Sequence, residues 1–164
     1  MFHKAELISK ALDKNLSAKE VWQPTQQLAE MAAEKIKANG IPAAIDKQPM
    51  TFSSLTNKEI NAWYKNNSTT NYREISEVNT TYILEIESGA SILSGDMLLE
   101  VRTKLIDPES GLVLGRNREW ETADLPDTVA TFKDNGRVYK ETYLSIGQKL
   151  IKKSLEYFEL INHE

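Results

Sequence analysis

Val101-Arg102-Thr103-Lys104-Leu105-Ile106-Asp107-Pro108-Glu109-Ser110-Gly111-Leu112-Val113-Leu114 decides the fold, because it turns the chain back on itself by chemistry that is entirely local. Pro108 presets φ for a turn, Asp107 can bond the turn's backbone, and Gly111 can take the left-handed conformation. Upstream of this turn Met97, Leu99, Val101 and Leu105 alternate with Leu98, Glu100, Arg102 and Lys104. A period of two marks a strand with one buried and one wet face. From Asn79 onward Tyr82, Leu84 and Ile86 alternate with Ile83, Glu85 and Glu87 in the same way, and Ser94-Gly95 reads as the turn between the two strands. Leu112 to Thr122 returns as the third strand. Its alternation fails through Gly115 to Trp120, which predicts a bulge near Gly115.

The flanking segments carry the helical period instead. Pro24-Thr25 opens a run with Leu28, Met31, Ala32, Lys35 and Ile36 on one stripe, closed by Asn39-Gly40 in the manner of a helix C-terminus. Tyr139, Tyr143, Ile146, Leu150, Tyr157 and Ile161 recur near helical spacing and predict a long C-terminal helix. Thr56-Asn57-Lys58-Glu59 has the capping-box spacing, and a short helix started there would carry Ile60, Trp63 and Tyr64 on one face. Leu7, Ile8, Leu12 and Leu16 place another short amphipathic helix between Phe2 and Leu16, followed by a turn at Ser17-Ala18-Lys19-Glu20 that carries Trp22. Ile41 to Ile45 is apolar and reads as a short strand, with Pro42 favouring an edge. The polar stretch Asn66 to Asn71 reads as a mobile loop. Asp124 to Gly136 reads as a polar connection anchored by Val129 and Phe132. The expected architecture is therefore α+β: a mainly antiparallel sheet with helices packed on one face and a long C-terminal helix. One domain is expected over residues 1–164, with residues 1–23 as a peripheral helix and turn.

Composition narrows the function classes. Hydrophobic residues make up 40% of the chain and charged residues 27%, so it is expected to collapse and fold. With 24 acidic against 20 basic residues it lacks the dense basic face of a nucleic-acid reader. No run is long and apolar enough to span a bilayer, so a membrane would be reached only through a missing lipid anchor. There is no cysteine, which removes thiolate chemistry and disulfides and leaves export and a cytoplasmic site both open. Export makes Met1 a start placed after a removed signal or lipid-anchor segment.

The residues that carry chemistry are sparse. The two histidines, His3 and His163, sit beside the termini, where a catalytic imidazole is hard to hold in place. No Gly-x-Ser-x-Gly elbow and no phosphate-binding glycine loop is present. Asp107-Pro108-Glu109-Ser110-Gly111 lacks the ligand spacing of a calcium loop. Glu85, Glu87 and Glu100 share a sheet face with Arg102, Lys104, Arg116 and Arg118, which reads as the salt-bridged ladder of a solvated face rather than as a catalytic pair. No catalytic residue, metal ligand or cofactor is therefore expected. The three tryptophans, Trp22, Trp63 and Trp120, belong by default to the core. An open Trp120 beside Arg102, Arg116 and Arg118 would instead form a partner surface, since Trp and Arg are enriched in interface hot spots.

The order of parts carries a resemblance. A helix ending in Lys37-Ala38-Asn39-Gly40, a following short strand, then Tyr82-Ile83-Leu84-Glu85-Ile86, then the Val101 to Leu114 hairpin and a long terminal helix resemble the periplasmic domains of small bacterial outer-membrane lipoproteins of the curli-secretion and penicillin-binding-protein-activator types. That resemblance implies a helix-flanked α/β sandwich, a periplasmic or outer-membrane-anchored location, and scaffolding or regulation of envelope assemblies through protein partners. It transfers no functional residue. The rival is a small enzyme or ligand-carrying domain with a pocket of carboxylates and aromatics between sheet and helices. A homo-oligomer through an exposed strand, near Ile41 or near Trp120, is a third expectation.

Overall fold

A computed structural model of the chain describes residues 22–45, 57–68, 72 and 81–162. The expected N-terminal helix and turn before Trp22 lie outside the described residues, as do both histidines and the 69–71 part of the polar loop. Among the described residues two helices precede the sheet, α1 (Pro24–Ala38) and α2 (Asn57–Lys65), and one follows it, α3 (Thr128–Tyr157). Between them β1 (Ile83–Leu93), β2 (Asp96–Ile106) and β3 (Val113–Asp124) form an antiparallel meander in the order β1-β2-β3. Among the described residues no helix is long and apolar enough to cross a membrane.

Both hairpins follow from their turn residues. Ser94 and Gly95 take positive φ of 55° and 102° between β1 and β2, the pair of left-handed residues that matches strand twist in a two-residue hairpin. At the second turn Asp107 accepts from the Glu109 backbone N–H at 2.9 Å and from the Ser110 hydroxyl at 2.5 Å, while Gly111 takes φ of 71°. The bulge falls where the alternation failed: Ile106 faces Val113 and Leu105 faces Gly115, so Leu114 is the extra residue. Gly115 is needed there for a second reason, since a Cβ on it would lie 2.8 Å from the Phe158 ring.

One face of the sheet builds the core. Met97, Leu99 and Val101 of β2 pack with Leu28 and Ala32 of α1 and with Tyr139, Tyr143, Ile146, Leu150, Ile151 and Leu155 of α3. Each fully buried large side chain in such a set stabilises by roughly 1.5 to 3 kcal/mol. Trp22 packs edge-on against Tyr139 and Tyr143, with ring centres 5.8 and 5.2 Å apart. Helices α1 and α3 approach closely because Gly147 presents no side chain to Leu28: a Cβ there would lie 2.6 Å from Leu28 Cδ2.

Several expectations are corrected. Ile41 to Ile45 is not a strand; the segment pairs with nothing in the sheet, and Ile41 and Ile45 are exposed. Among the described residues the sheet edges are therefore β1 and β3. Helices do not all pack on one face, because α2 lies on the other. Val129, 78% exposed, is no anchor, whereas Phe132 does pack against the core. The Asp124 to Gly136 connection contains a short helix beginning at Thr128, capped by Asp127, whose side chain accepts from the Val129 and Ala130 N–H groups at 2.9 and 3.1 Å. The helical path then breaks at Lys133 to Gly136, where Asp134, Asn135 and Gly136 all take positive φ, and resumes to Tyr157. Tyr157, expected on the buried stripe, is exposed.

The tight α1 and α3 crossing makes a testable statement about Gly147. Gly147→Ala is expected to lower stability by about 1 to 3 kcal/mol in chemical denaturation, although alanine is the better helix former, because the new methyl would force the fully buried Leu28 side chain to shift within the core. Combining it with Leu28→Ala should give a loss smaller than the sum of the two single losses.

Candidate functional site

The second face of the sheet reads, row by row across β1, β2 and β3, as Glu85, Lys104, Arg116; then Glu87, Arg102, Arg118; then Gly89, Glu100, Trp120. Antiparallel register makes these direct neighbours, so opposite charges meet in the first two rows. All four residues singled out as a partner surface, Arg102, Arg116, Arg118 and Trp120, lie on this face. They do not share one role.

The first row is not solvated, which corrects the reading of a wet ladder. Lys104 is 0% exposed and Glu85 7%. Helix α2 and the residues after it cover the row, so the two charges sit in a dry socket 2.7 Å apart. Isolated ions would be costly there, and each is satisfied by further bonds. Glu85 Oε2 accepts from the Trp63 indole N–H at 2.9 Å; Oε1 accepts from the Ser68 hydroxyl at 3.0 Å and from the Tyr72 hydroxyl. Lys104 Nζ also donates to the Trp63 carbonyl at 3.0 Å and lies 4.5 Å from the centre of the Trp63 ring. No buried side-chain polar atom among the described residues lacks a partner. A carboxylate holding four donors and an ammonium holding two acceptors are poorly placed to act as base or nucleophile.

Arg116 belongs to the same docking. Its Nε donates to the Tyr64 carbonyl at 2.7 Å and its Nη2 to the Lys65 carbonyl at 3.0 Å, which puts a cation on the open carbonyls at the C-terminus of α2. Asn67 Oδ1 accepts from the Val113 N–H at 3.4 Å. The polar stretch after α2 is thus tied to the sheet over Asn66 to Ser68, against the expectation of a mobile loop for that part.

The second row is half-buried. Arg102 bonds Glu100 Oε1, donates to Asn61 Oδ1 at 3.1 Å, and sets its guanidinium 5.9 Å from the Tyr64 ring centre. Arg118 donates through Nη2 and Nε to Glu100 Oε2 at 2.6 and 2.9 Å, yet its side chain remains 54% exposed. Burial pushes the Glu87 carboxyl above its ordinary value; Arg102 opposes the rise and Glu100 adds to it.

Trp120 stands apart. It is 63% exposed on a strand paired to β2 continuously from Gly115 to Asp124, with Arg118 two residues before it on the same face. Glu119 and Glu121 alternate to the helix side, where Lys149 of α3 reaches Glu121 at 3.2 Å. A wide cleft of about 330 Å³ lies elsewhere, lined by Trp22, Gln26, Gln27, Glu30, Asn135 and Lys140 among others. Glu30 is the one carboxylate among its described lining residues.

Comparison of the chain with protein-family models, with curated proteins and with solved structures gave no match in any of the three.

Two outcomes follow from the buried charges. Lys104→Met is expected to destabilise by about 3 to 5 kcal/mol, since it leaves Glu85 buried without its cation. Hydrogen exchange should then accelerate most over Asn57 to Lys65, because the same substitution frees the Trp63 carbonyl. For Glu87 the sign runs the other way from a salt-bridged acid. A carboxyl whose folded value is raised binds its proton more tightly in the native state, so it removes stability as pH climbs through and above the ordinary carboxylate range. Glu87→Gln should therefore raise the melting temperature at about pH 7 and change it little at about pH 4, which thermal denaturation at both values checks.

Proposed function

We propose that the chain is a non-enzymatic protein-recognition domain of the scaffold kind, acting through the uncovered end of the outer sheet face. The observation that carries this reading is Trp120: a large aromatic side chain, mostly exposed, on a strand paired to its neighbour from Gly115 to Asp124, with Arg118 two residues away on the same face. A rigid aromatic loses little conformational freedom on binding, and Trp and Arg are the residue types that dominate interface energetics. The polar groups nearest to chemistry, Glu85 and Lys104, are occupied in holding α2 and leave contact through shape as the mode of action. Of the four residues in the expected surface, Arg118 and Trp120 present themselves to a partner, whereas Arg102 and Arg116 are turned to α2. The cell envelope as compartment rests on the sequence resemblance alone and belongs to the same proposal.

A photoreactive amino acid placed at Trp120 in the full chain, expressed in its own cell, tests the reading. The expected result is one discrete protein adduct on illumination, found in the envelope fraction and missing when the same probe replaces the exposed Val129 on α3. Equal adducts at both positions, or none at Trp120, would contradict a recognition surface there.

A further inference from the structure

Strand β3 is bonded to β2 along one side and, among the described residues, to no strand along the other. A free edge is a row of backbone donors and acceptors on which another chain can pair. Here the first donor is taken by Asn67 and the Arg116 side chain is drawn to α2, so the stretch that remains open runs from Asn117 to Asp124. Its side chains alternate with the strand period: Arg118, Trp120 and Thr122 on the outer face, Asn117, Glu119 and Glu121 on the helix side.

That pattern decides what can pair with it. A second copy adding antiparallel to the same edge would bring like residues together about a central position. Centred on residues 116 to 121 in turn, it opposes Arg116 with Arg116, Arg116 with Arg118, Arg118 with Arg118, Glu119 with Glu119, Glu119 with Glu121, and Glu121 with Glu121; centred on Thr122 or beyond, no more than the five residues Trp120 to Asp124 meet a partner within the open stretch. Like charges directly opposite are destabilising unless a counter-charge lies between them, as Glu100 does for Arg102 and Arg118, so this stretch disfavours its own copy. The same edge matches a strand of complementary alternation. Arg118 already meets Glu100 and Glu121 already meets Lys149, so the charges select register and partner, while the backbone bonds and the Trp120 ring supply the attraction.

Resting on the recognition reading above, we infer that the β3 edge receives an extended segment of a partner protein as a fourth, antiparallel strand, acidic opposite Arg118, apolar opposite Trp120, and basic opposite Glu119 and Glu121. Antiparallel addition continues the pairing of the sheet it joins.

The probe is a synthetic peptide of that chemistry, acetyl-Thr-Lys-Ile-Lys-Glu-Thr-amide, titrated into the full chain and followed through backbone amide NMR shifts. Saturable shifts centred on Asn117 to Thr122 are expected. Affinity should fall by about tenfold or more with Trp120→Ala and with the charge-inverted peptide acetyl-Thr-Glu-Ile-Glu-Lys-Thr-amide. It should vanish when the peptide's edge-facing amides are N-methylated, since strand pairing needs those donors. Trp120→Ala removes a mostly exposed side chain, and an unchanged melting temperature confirms that its loss of binding is not a loss of fold. Equal binding of methylated and unmethylated peptides, both still dependent on Trp120, overturns strand addition and leaves the recognition surface standing. Binding indifferent to Trp120, or no saturable shift from the peptide, overturns the inference; the photocrosslinking result at Trp120 then decides separately whether the surface survives.

Discussion

A buried ion pair on the far side of a three-stranded sheet is the constraint on which the arrangement of this molecule turns. The core face needs no special chemistry, because α1 and α3 cover it with apolar side chains. The opposite face carries Glu85, Glu87, Glu100, Arg102, Lys104, Arg116 and Arg118, and without a cover it would be a wet salt-bridged surface. Helix α2 covers one end of it and is bound there mostly by polar contacts: Trp63 and Ser68 to Glu85, Lys104 to the Trp63 carbonyl, Arg116 to the end of the helix. Removing water from Glu85 and Lys104 is unfavourable, and the cost is offset only because every neighbouring donor and acceptor is placed to meet them. The pair thus specifies where α2 sits more than it adds to stability.

That division of the face into a closed and an open end shapes the functional reading. At the closed end the ionisable groups hold one another, so burial accompanies saturation rather than reactivity. At the open end Trp120 and Arg118 stand on a strand that cannot easily move, at the edge of the sheet, with charges of opposite sign on its two sides. The charges are locked into architecture at one end, and the surface we propose for recognition lies at the other.

Much of this was legible in the sequence where the determinants are local. Asp107, Pro108 and Gly111 specify the second hairpin, Ser94-Gly95 the first, and the broken alternation at Gly115 locates the bulge. Pro24 and Asn39-Gly40 bracket α1, and Ile60, Trp63 and Tyr64 mark α2 by their stripe, while Thr56 of the expected capping box lies outside the described residues. Period-two patterning placed Glu85 and Lys104 on one face, yet it says nothing about what lies over that face. The cover comes from Trp63, Ser68 and Tyr72, distant in sequence from the strands they touch, and no short-range signal links a polar loop to a buried carboxylate. Ile41 to Ile45 failed as a strand for a related reason: a short apolar run does not say whether the fold brings it to a sheet edge, and this one pairs with none although the edges of β1 and β3 carry no strand among the described residues. Asp127 was missed as a cap because the helix it starts is broken almost at once by three left-handed residues. The exposure of Trp120 was conditional in the sequence, since an aromatic residue on an alternating strand is as compatible with core as with surface.

The account stands on Lys104 being dry and held. Mass-spectrometric footprinting of the native chain with an amine-acylating reagent tests this directly, residue by residue. Lys149 and Lys153, both well exposed on α3, should react readily, while Lys104 should remain unmodified until the fold is opened by denaturant. Acylation of Lys104 in the native protein at the rate of those surface lysines would contradict the buried pair and with it the docking of α2.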